Sequence, residues 1–167
     1  MNVIIRWPTL SRALLLLMAI PLFSACSNSE EKNAVDIAPQ EMDGLRVVTV
    51  ANGLSFPWSL TFLPDGNMLV TERTGALRLV SANGKISAPL KGTPTVFVSG
   101  QAGLFDVALD PDFTKNRLVY LSYAEAGADN TNGLAVARAT LATDNMSLSN
   151  VQVIFRQLPK VESEGHF

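Results

Sequence analysis

The run Trp58-Ser59-Leu60-Thr61-Phe62-Leu63-Pro64-Asp65-Gly66-Asn67-Met68-Leu69-Val70-Thr71-Glu72 decides the fold. Its first five residues alternate large apolar with small polar side chains, the period of a strand with one face against a core. Pro64-Asp65-Gly66-Asn67 is a turn by composition: proline presets its own φ, and glycine and asparagine accept positive φ. Residues 68–72 then read as the partner strand. Working outward, Thr74-Gly75 turns the chain into residues 76–80, and Ser81-Ala82-Asn83-Gly84 turns it again into residues 85–87. The expectation is a four-stranded antiparallel meander, the unit of a propeller blade.

The unit recurs. Residues 104–109 form a strand, Pro111-Asp112 opens a turn, and residues 117–123 are the partner strand; residues 134–141 and 151–156 supply two more. From Pro64 to Pro111 the step is 47 residues, within the roughly 40 to 50 of propeller repeats. An immunoglobulin-like sandwich also has short strands and turns, but the strand–Pro-Asp–strand repeat at this period favours the propeller. The fold class is therefore all-β. Residues 45–167 hold about two blades and the start of a third. Closed propellers have typically four to eight, so the chain is expected to be the N-terminal portion of a longer protein.

Before residue 45 the chain has a different character. Arg6 and Arg12 precede an apolar run, residues 13–23, which ends in Ser24-Ala25 before Cys26. A charged start, a short apolar stretch and small residues describe an export signal over residues 1–25. Eleven apolar residues fall well short of the roughly 20 that span a bilayer as a helix. Leu22-Phe23-Ser24-Ala25-Cys26 resembles a bacterial lipobox, which would make Cys26 an acylation site; a plain export signal that happens to contain a cysteine is the alternative. Ser27 after the cysteine favours, by the same resemblance, the outer membrane, facing the periplasm. Residues 26–44 read as a lipidated N-terminus and polar tether, and residues 45–167 as the partial propeller.

Composition excludes several classes. The 167 residues are 47% hydrophobic and 17% charged, enough for a packed core. Net charge is -2; without the two leader arginines, 11 basic residues face 15 acidic ones, or -4. A mildly acidic chain with no basic run is not built for nucleic acid. One cysteine and one histidine exclude an internal disulfide, a Cys-rich zinc site and a two-histidine metal motif. No Asp-rich calcium loop is present, and Asp110-Pro111-Asp112 reads as a turn.

In a propeller the first strand of each blade lines the axis. The loops that lead into these strands carry Gln101 and His166 at comparable places, so two polar side chains on successive inner strands could converge. Each also has an ordinary reading, Gln101 as a solvated loop residue and His166 as a structural histidine. His166 is the one side chain whose unperturbed pKa suits a general base near neutral pH.

These residues carry a resemblance. Gly53-Leu54-Ser55-Phe56-Pro57-Trp58-Ser59-Leu60 with Thr71-Glu72-Arg73 resembles the first blade of the pyrroloquinoline quinone (PQQ)-dependent aldose sugar dehydrogenases, a glucose/sorbosone dehydrogenase-like family. Gly100-Gln101-Ala102-Gly103-Leu104-Phe105-Asp106-Val107 with Asp110-Pro111-Asp112-Phe113 is similar to the second-blade signature. Residues 153–160, followed by Gly165-His166-Phe167, resemble the approach to the catalytic histidine. The resemblance implies a six-bladed propeller that binds PQQ and Ca²⁺ and oxidises the anomeric hydroxyl of aldose sugars to lactones, passing hydride to the quinone and then electrons to an external acceptor. His166 falls on the general base and Gln101 on a residue beside substrate and cofactor. Gly165 stands where the soluble glucose dehydrogenases carry an aspartate, which suits a broader aldose site. The PQQ ligands and most calcium ligands of the family are expected beyond residue 167, with no metal ligand assigned in this chain. Membrane contact is expected only through the lipid anchor. The competing reading is a non-catalytic secreted propeller that binds sugar or protein partners, since fold does not fix function.

Overall fold

The structure is a computed structural model that describes residues 40–42 and 45–164. The leader, Cys26 and His166 lie outside the described residues. Strand β1 (Gln40–Met42) pairs antiparallel with β2 (Leu45–Val47). Two larger antiparallel sheets follow. The first is β3 (Pro57–Phe62), β4 (Met68–Glu72) and β5 (Leu77–Val80), in that order. The second is β6 (Leu104–Leu109), β7 (Leu118–Ala126), β8 (Asn132–Leu141) and β9 (Leu148–Arg156), with the one-turn helix α1 (Phe113–Asn116) between β6 and β7. These are two blades of a β-propeller.

The Pro64-Asp65-Gly66-Asn67 turn forms as its composition requires. Leu63 N–H donates to the Asn67 carbonyl at 2.8 Å, the Asp65 carboxylate accepts Asn67 N–H at 3.0 Å, and Gly66 has φ +83°. The Pro111-Asp112 turn does more than reverse the chain, because it opens α1.

One expected strand is absent. Residues 85–87 do not extend the first sheet; Val80 and Ile86 form a single bridge. Scattered bonds tie the segment to β5: Ser87 N–H donates to the Leu79 carbonyl at 2.9 Å, its hydroxyl accepts Leu79 N–H, and its carbonyl accepts the Arg78 guanidinium. The segment has one apolar residue and runs into Ala88-Pro89, and proline has no N–H with which to continue a ladder.

The core sits between the blades. Leu69 and Leu77 of the first sheet meet Leu104, Val107, Val119 and Leu121 of the second, all 5% exposed or less. Ala135, Ala137 and Ala139 put small side chains in the same core from β8, beside the larger leucines. Each fully buried leucine contributes roughly 1.5–3 kcal/mol. On the opposite face of the first sheet Met68, Val70 and Val80 pack with Ala51, Leu54 and Ile86.

Candidate functional site

The loop before β3 is held by a buried acid. Glu72 ends a fully buried strand at 1% exposure, and one carboxylate oxygen accepts Ser55 N–H at 2.6 Å. The other accepts Arg78 Nε at 2.9 Å. A buried carboxylate is tolerated when paired and hydrogen-bonded, and here both oxygens are used. Phe56, at φ +50°, accepts Arg73 N–H at its carbonyl, and the Arg73 guanidinium lies 4.8 Å over the Phe56 ring. Among the described residues that guanidinium has no hydrogen-bond or ion-pair partner.

From Arg73 the contacts step onto the second blade. Leu104 N–H donates to the Arg73 carbonyl at 3.0 Å. A Cβ on Gly103 would stand 2.0 Å from the same carbonyl oxygen, so only glycine fits at this crossing. One residue earlier, Ala102 N–H donates to the Glu164 carbonyl at 3.1 Å, and Gln101 N–H donates to the same oxygen at 2.8 Å. Gly100 adopts φ +52° beneath Glu164, where a Cβ would meet the glutamate's own Cβ at 2.7 Å. Gln101 itself is exposed, and its side-chain amide makes no hydrogen bond to the described residues. Phe56, Arg73, Gly103, Gln101 and Glu164 thus follow one another as a continuous rim.

Residues 157–164 reach that rim from the far edge of the second blade. Gln157 N–H donates to the Leu134 carbonyl at 2.8 Å, and Lys160 Nζ donates to Glu125 at 2.8 Å and to the Ala126 carbonyl at 2.6 Å. Arg156 Nε reaches the same carboxylate at 2.9 Å. Burial works to raise the Glu125 pKa, but the bonds from Lys160 and Arg156 outweigh it and hold the carboxyl below its ordinary value.

Of the site residues expected from sequence, Gln101 stands on this rim. His166 and Cys26 lie outside the described residues. Among the described residues no group of three or more His, Cys, Asp or Glu is placed to hold a metal ion. Asp110 serves the turn: its carboxylate accepts from Asn116, Tyr120 and Asp112, and those bonds lower its pKa. Sequence reasoning missed the role of Glu72. Its visible signal was an acid closing a strand that opens on Met68-Leu69-Val70.

A separate trough of about 440 Å³ lies on the open face of the first blade, lined by Val50, Leu54, Trp58, Leu60, Met68 and Val70 among others. Its lining has no titratable group, so it suits packing against another apolar surface rather than sugar chemistry.

Comparison with known proteins supplies the remaining context. The family model described as Glucose / Sorbosone dehydrogenase matches residues 54–167. The chain is 43% identical over 124 residues to the aldose sugar dehydrogenase YliI of Escherichia coli strain K12, covering 74% of this chain and 33% of that protein. A solved glucose dehydrogenase is similar with a TM-score of 0.67 and 46% identity, over 70% of this chain and 36% of that one. The PQQ-bound form of an aldose sugar dehydrogenase from Streptomyces coelicolor gives a TM-score of 0.57 at 31% identity, over 66% and 33% of the two chains. The chain spans about a third of the length of these relatives.

Proposed function

The chain belongs to the glucose/sorbosone dehydrogenase family, and from that premise we propose that it takes part in PQQ-dependent oxidation of aldose sugars at the anomeric carbon. One observation carries the reading. The Glu164 carbonyl is bonded to Gln101 and Ala102 N–H, so the chain arrives on the loop that carries Gln101 two residues ahead of His166.

In this reading the neutral imidazole of His166 takes the proton of the anomeric hydroxyl. As that O–H bond breaks, the anomeric C–H electron pair leaves as hydride and the carbon becomes the lactone carbonyl. Gln101, whose exposed amide is bonded to none of the described residues, donates to or accepts from the sugar hydroxyls and fixes which carbon faces the acceptor. When bound, PQQ supplies the two-electron acceptor for the hydride. The rim fits one edge of such an anionic quinone: Gln101 offers amide hydrogens and Arg73 a guanidinium with no ion-pair partner among the described residues. Calcium is proposed with it, its ligands assigned to none of the described residues.

The test uses the complete protein that carries this segment. His166→Ala is expected to lower turnover by about 10² to 10⁴, the usual contribution of a general base, with PQQ binding nearly intact. Gln101→Ala is expected to raise the sugar KM more than it lowers kcat. Near wild-type turnover in His166→Ala would remove the base assignment.

We also propose export to the periplasmic face of the outer membrane through residues 1–25 and acylation of Cys26. An acyl chain contributes about 0.8 kcal/mol per buried methylene. The mass of the mature N-terminus decides this: acyl chains on Cys26 are expected, and an unmodified cysteine overturns the anchor.

A further inference from the structure

Resting on the reading of His166 as the proton-abstracting group, we propose that Asn132 is a positioning residue, which clamps residues 161–164 so that the chain reaches the rim in one fixed register. Asn132 opens β8 and is fully buried. Its backbone N–H donates to the Val161 carbonyl at 2.8 Å, and its carbonyl accepts Val161 N–H at 3.0 Å. Its side-chain Nδ2 then reaches past that pair to the Ser163 carbonyl at 2.6 Å. The next carbonyl along, that of Glu164, is the one bonded to Gln101 and Ala102. One residue of the second blade therefore fixes both the pairing and the direction of the last four described residues.

The cost of this arrangement is visible. Asn132 Oδ1 is buried and has no hydrogen-bond partner, the one such side-chain atom among the described residues. Buried polar atoms are normally satisfied. Turning the amide over would give Oδ1 another neighbour only by pointing it at the Ser163 carbonyl, oxygen against oxygen. The donor to Ser163 sets the orientation, and the orphaned oxygen follows from it.

Other attachments of the segment do not substitute. The Lys160–Glu125 bond is part of a partly solvated ion-pair network three residues before Ser163. The Gln157–Leu134 bonds lie farther back still. Asn132 acts between Val161 and Glu164, from a side chain that is itself fully buried. Asparagine is required because the position needs a donor of this reach. Aspartate has the same shape but presents an unprotonated oxygen to a carbonyl.

The experiment compares wild type with Asn132→Asp, and with Asn132→Ser as a second variant, in the complete protein. Amide hydrogen exchange of Gln101 and Ala102 reads the Glu164 bonds directly, with no need for bound PQQ. Ala124 N–H, which donates to the Gly103 carbonyl, serves as the control on the same blade. In Asn132→Asp, exchange at Gln101 and Ala102 is expected to quicken about 10-fold or more with Ala124 unchanged. The kcat is expected to fall about 10- to 100-fold with the sugar KM within a few-fold, the pattern of a misplaced reacting group. Unchanged exchange at Gln101 and Ala102 overturns the clamp. Faster exchange at Ala124 as well shows a general loosening of the blade and overturns a positioning role. Faster exchange at the rim with kcat unmoved overturns the link to catalysis. Failure of the base reading shows separately, as turnover surviving in His166→Ala while the exchange result stands.

Discussion

In the first blade a bulge in β3 leaves Ser59 N–H outside the ladder, and Thr71 Oγ1 accepts it at 3.0 Å. In the second blade a bulge falls at the same place in β6, and Ser122 Oγ accepts Asp106 N–H at 3.0 Å. From Ser59 to Asp106 the step is 47 residues, the same as between the two Pro-Asp turns; from Thr71 to Ser122 it is 51. The four added residues are α1. The two blades therefore share one device, a hydroxyl placed opposite a bulge. A bulged residue loses its ladder partner, and a short side chain on the facing strand restores it.

The blades differ in what surrounds that device. Leu104, Phe105 and Val107 of β6 are buried where the first blade covers them, while Leu60 and Phe62 of β3 are 52% and 66% exposed. Thr71 also donates to the Phe105 carbonyl of the second blade at 2.6 Å, tying one blade to the next. Similar alternation thus gives different burial. A strand's apolar face becomes core only where a neighbour meets it.

The largest test of that statement compares two leucines. Leu121→Ala, in the core between the blades, is expected to destabilise the 167-residue chain by about 2–5 kcal/mol. Leu60→Ala is expected to cost less than about 1 kcal/mol in the same chain. In a complete protein whose further blades cover β3, the second value should rise toward the first. Urea unfolding of both variants in both lengths measures it. A Leu60→Ala cost that stays small in the complete protein would show that nothing packs on that face.

Thr71→Val and Ser122→Ala come next. Each strands a bulge N–H: that of Ser59 is half-buried, so leaving it unpaired is expected to cost about 1–3 kcal/mol, while that of Asp106 is exposed and can turn to water, so its loss is expected to cost about 0.5 kcal/mol. Thr71→Val should cost more, because it also removes the bond to the second blade. Equal losses would mean that the inter-blade bond adds nothing. An exchange measurement at Ser59 and Asp106 locates the damage, which should be confined to the bulge in each variant.

The strands of both blades were legible because alternation and Pro-Asp turns are local signals. The 47-residue step was equally plain. What the sequence hid depends on pairing across distance. Residues 85–87 looked like a strand by their place after a turn, yet a strand needs more than one apolar residue and a chain that can go on donating. Thr71 and Ser122 read as ordinary polar positions of their strands, since nothing local marks a bulge on the strand opposite. Gln101 could be picked out by its place in the repeat and by resemblance. Asn132 could not: it follows Asp129-Asn130-Thr131 and looks like one more turn residue, because its role depends on a segment some thirty residues later.

The smallest expected effect separates the two segments that lead toward inner strands. Residues 88–103 are held to the second blade by backbone bonds, among them Lys91 N–H to Met146, Leu148 N–H to Lys91 and Phe97 N–H to Ala124. Residues 157–164 add charge, with Lys160 and Arg156 on Glu125. The Glu125 carboxyl is held below its ordinary value of 4.5 in the folded chain. A depressed carboxyl contributes stability that is present in full above the unfolded value and lost as pH falls through the folded one. The wild type is therefore expected to exceed Glu125→Gln in stability near neutral pH by a few tenths of a kcal/mol to about 1 kcal/mol, as for partly solvated pairs. That gap should close as the pH is taken well below 4.5 and shrink in high salt. Exchange at Val161 should follow the same course, while exchange at Phe97 should not. A gap independent of pH would mean that packing of the glutamate stem, and not its charge, holds residues 157–164 in place.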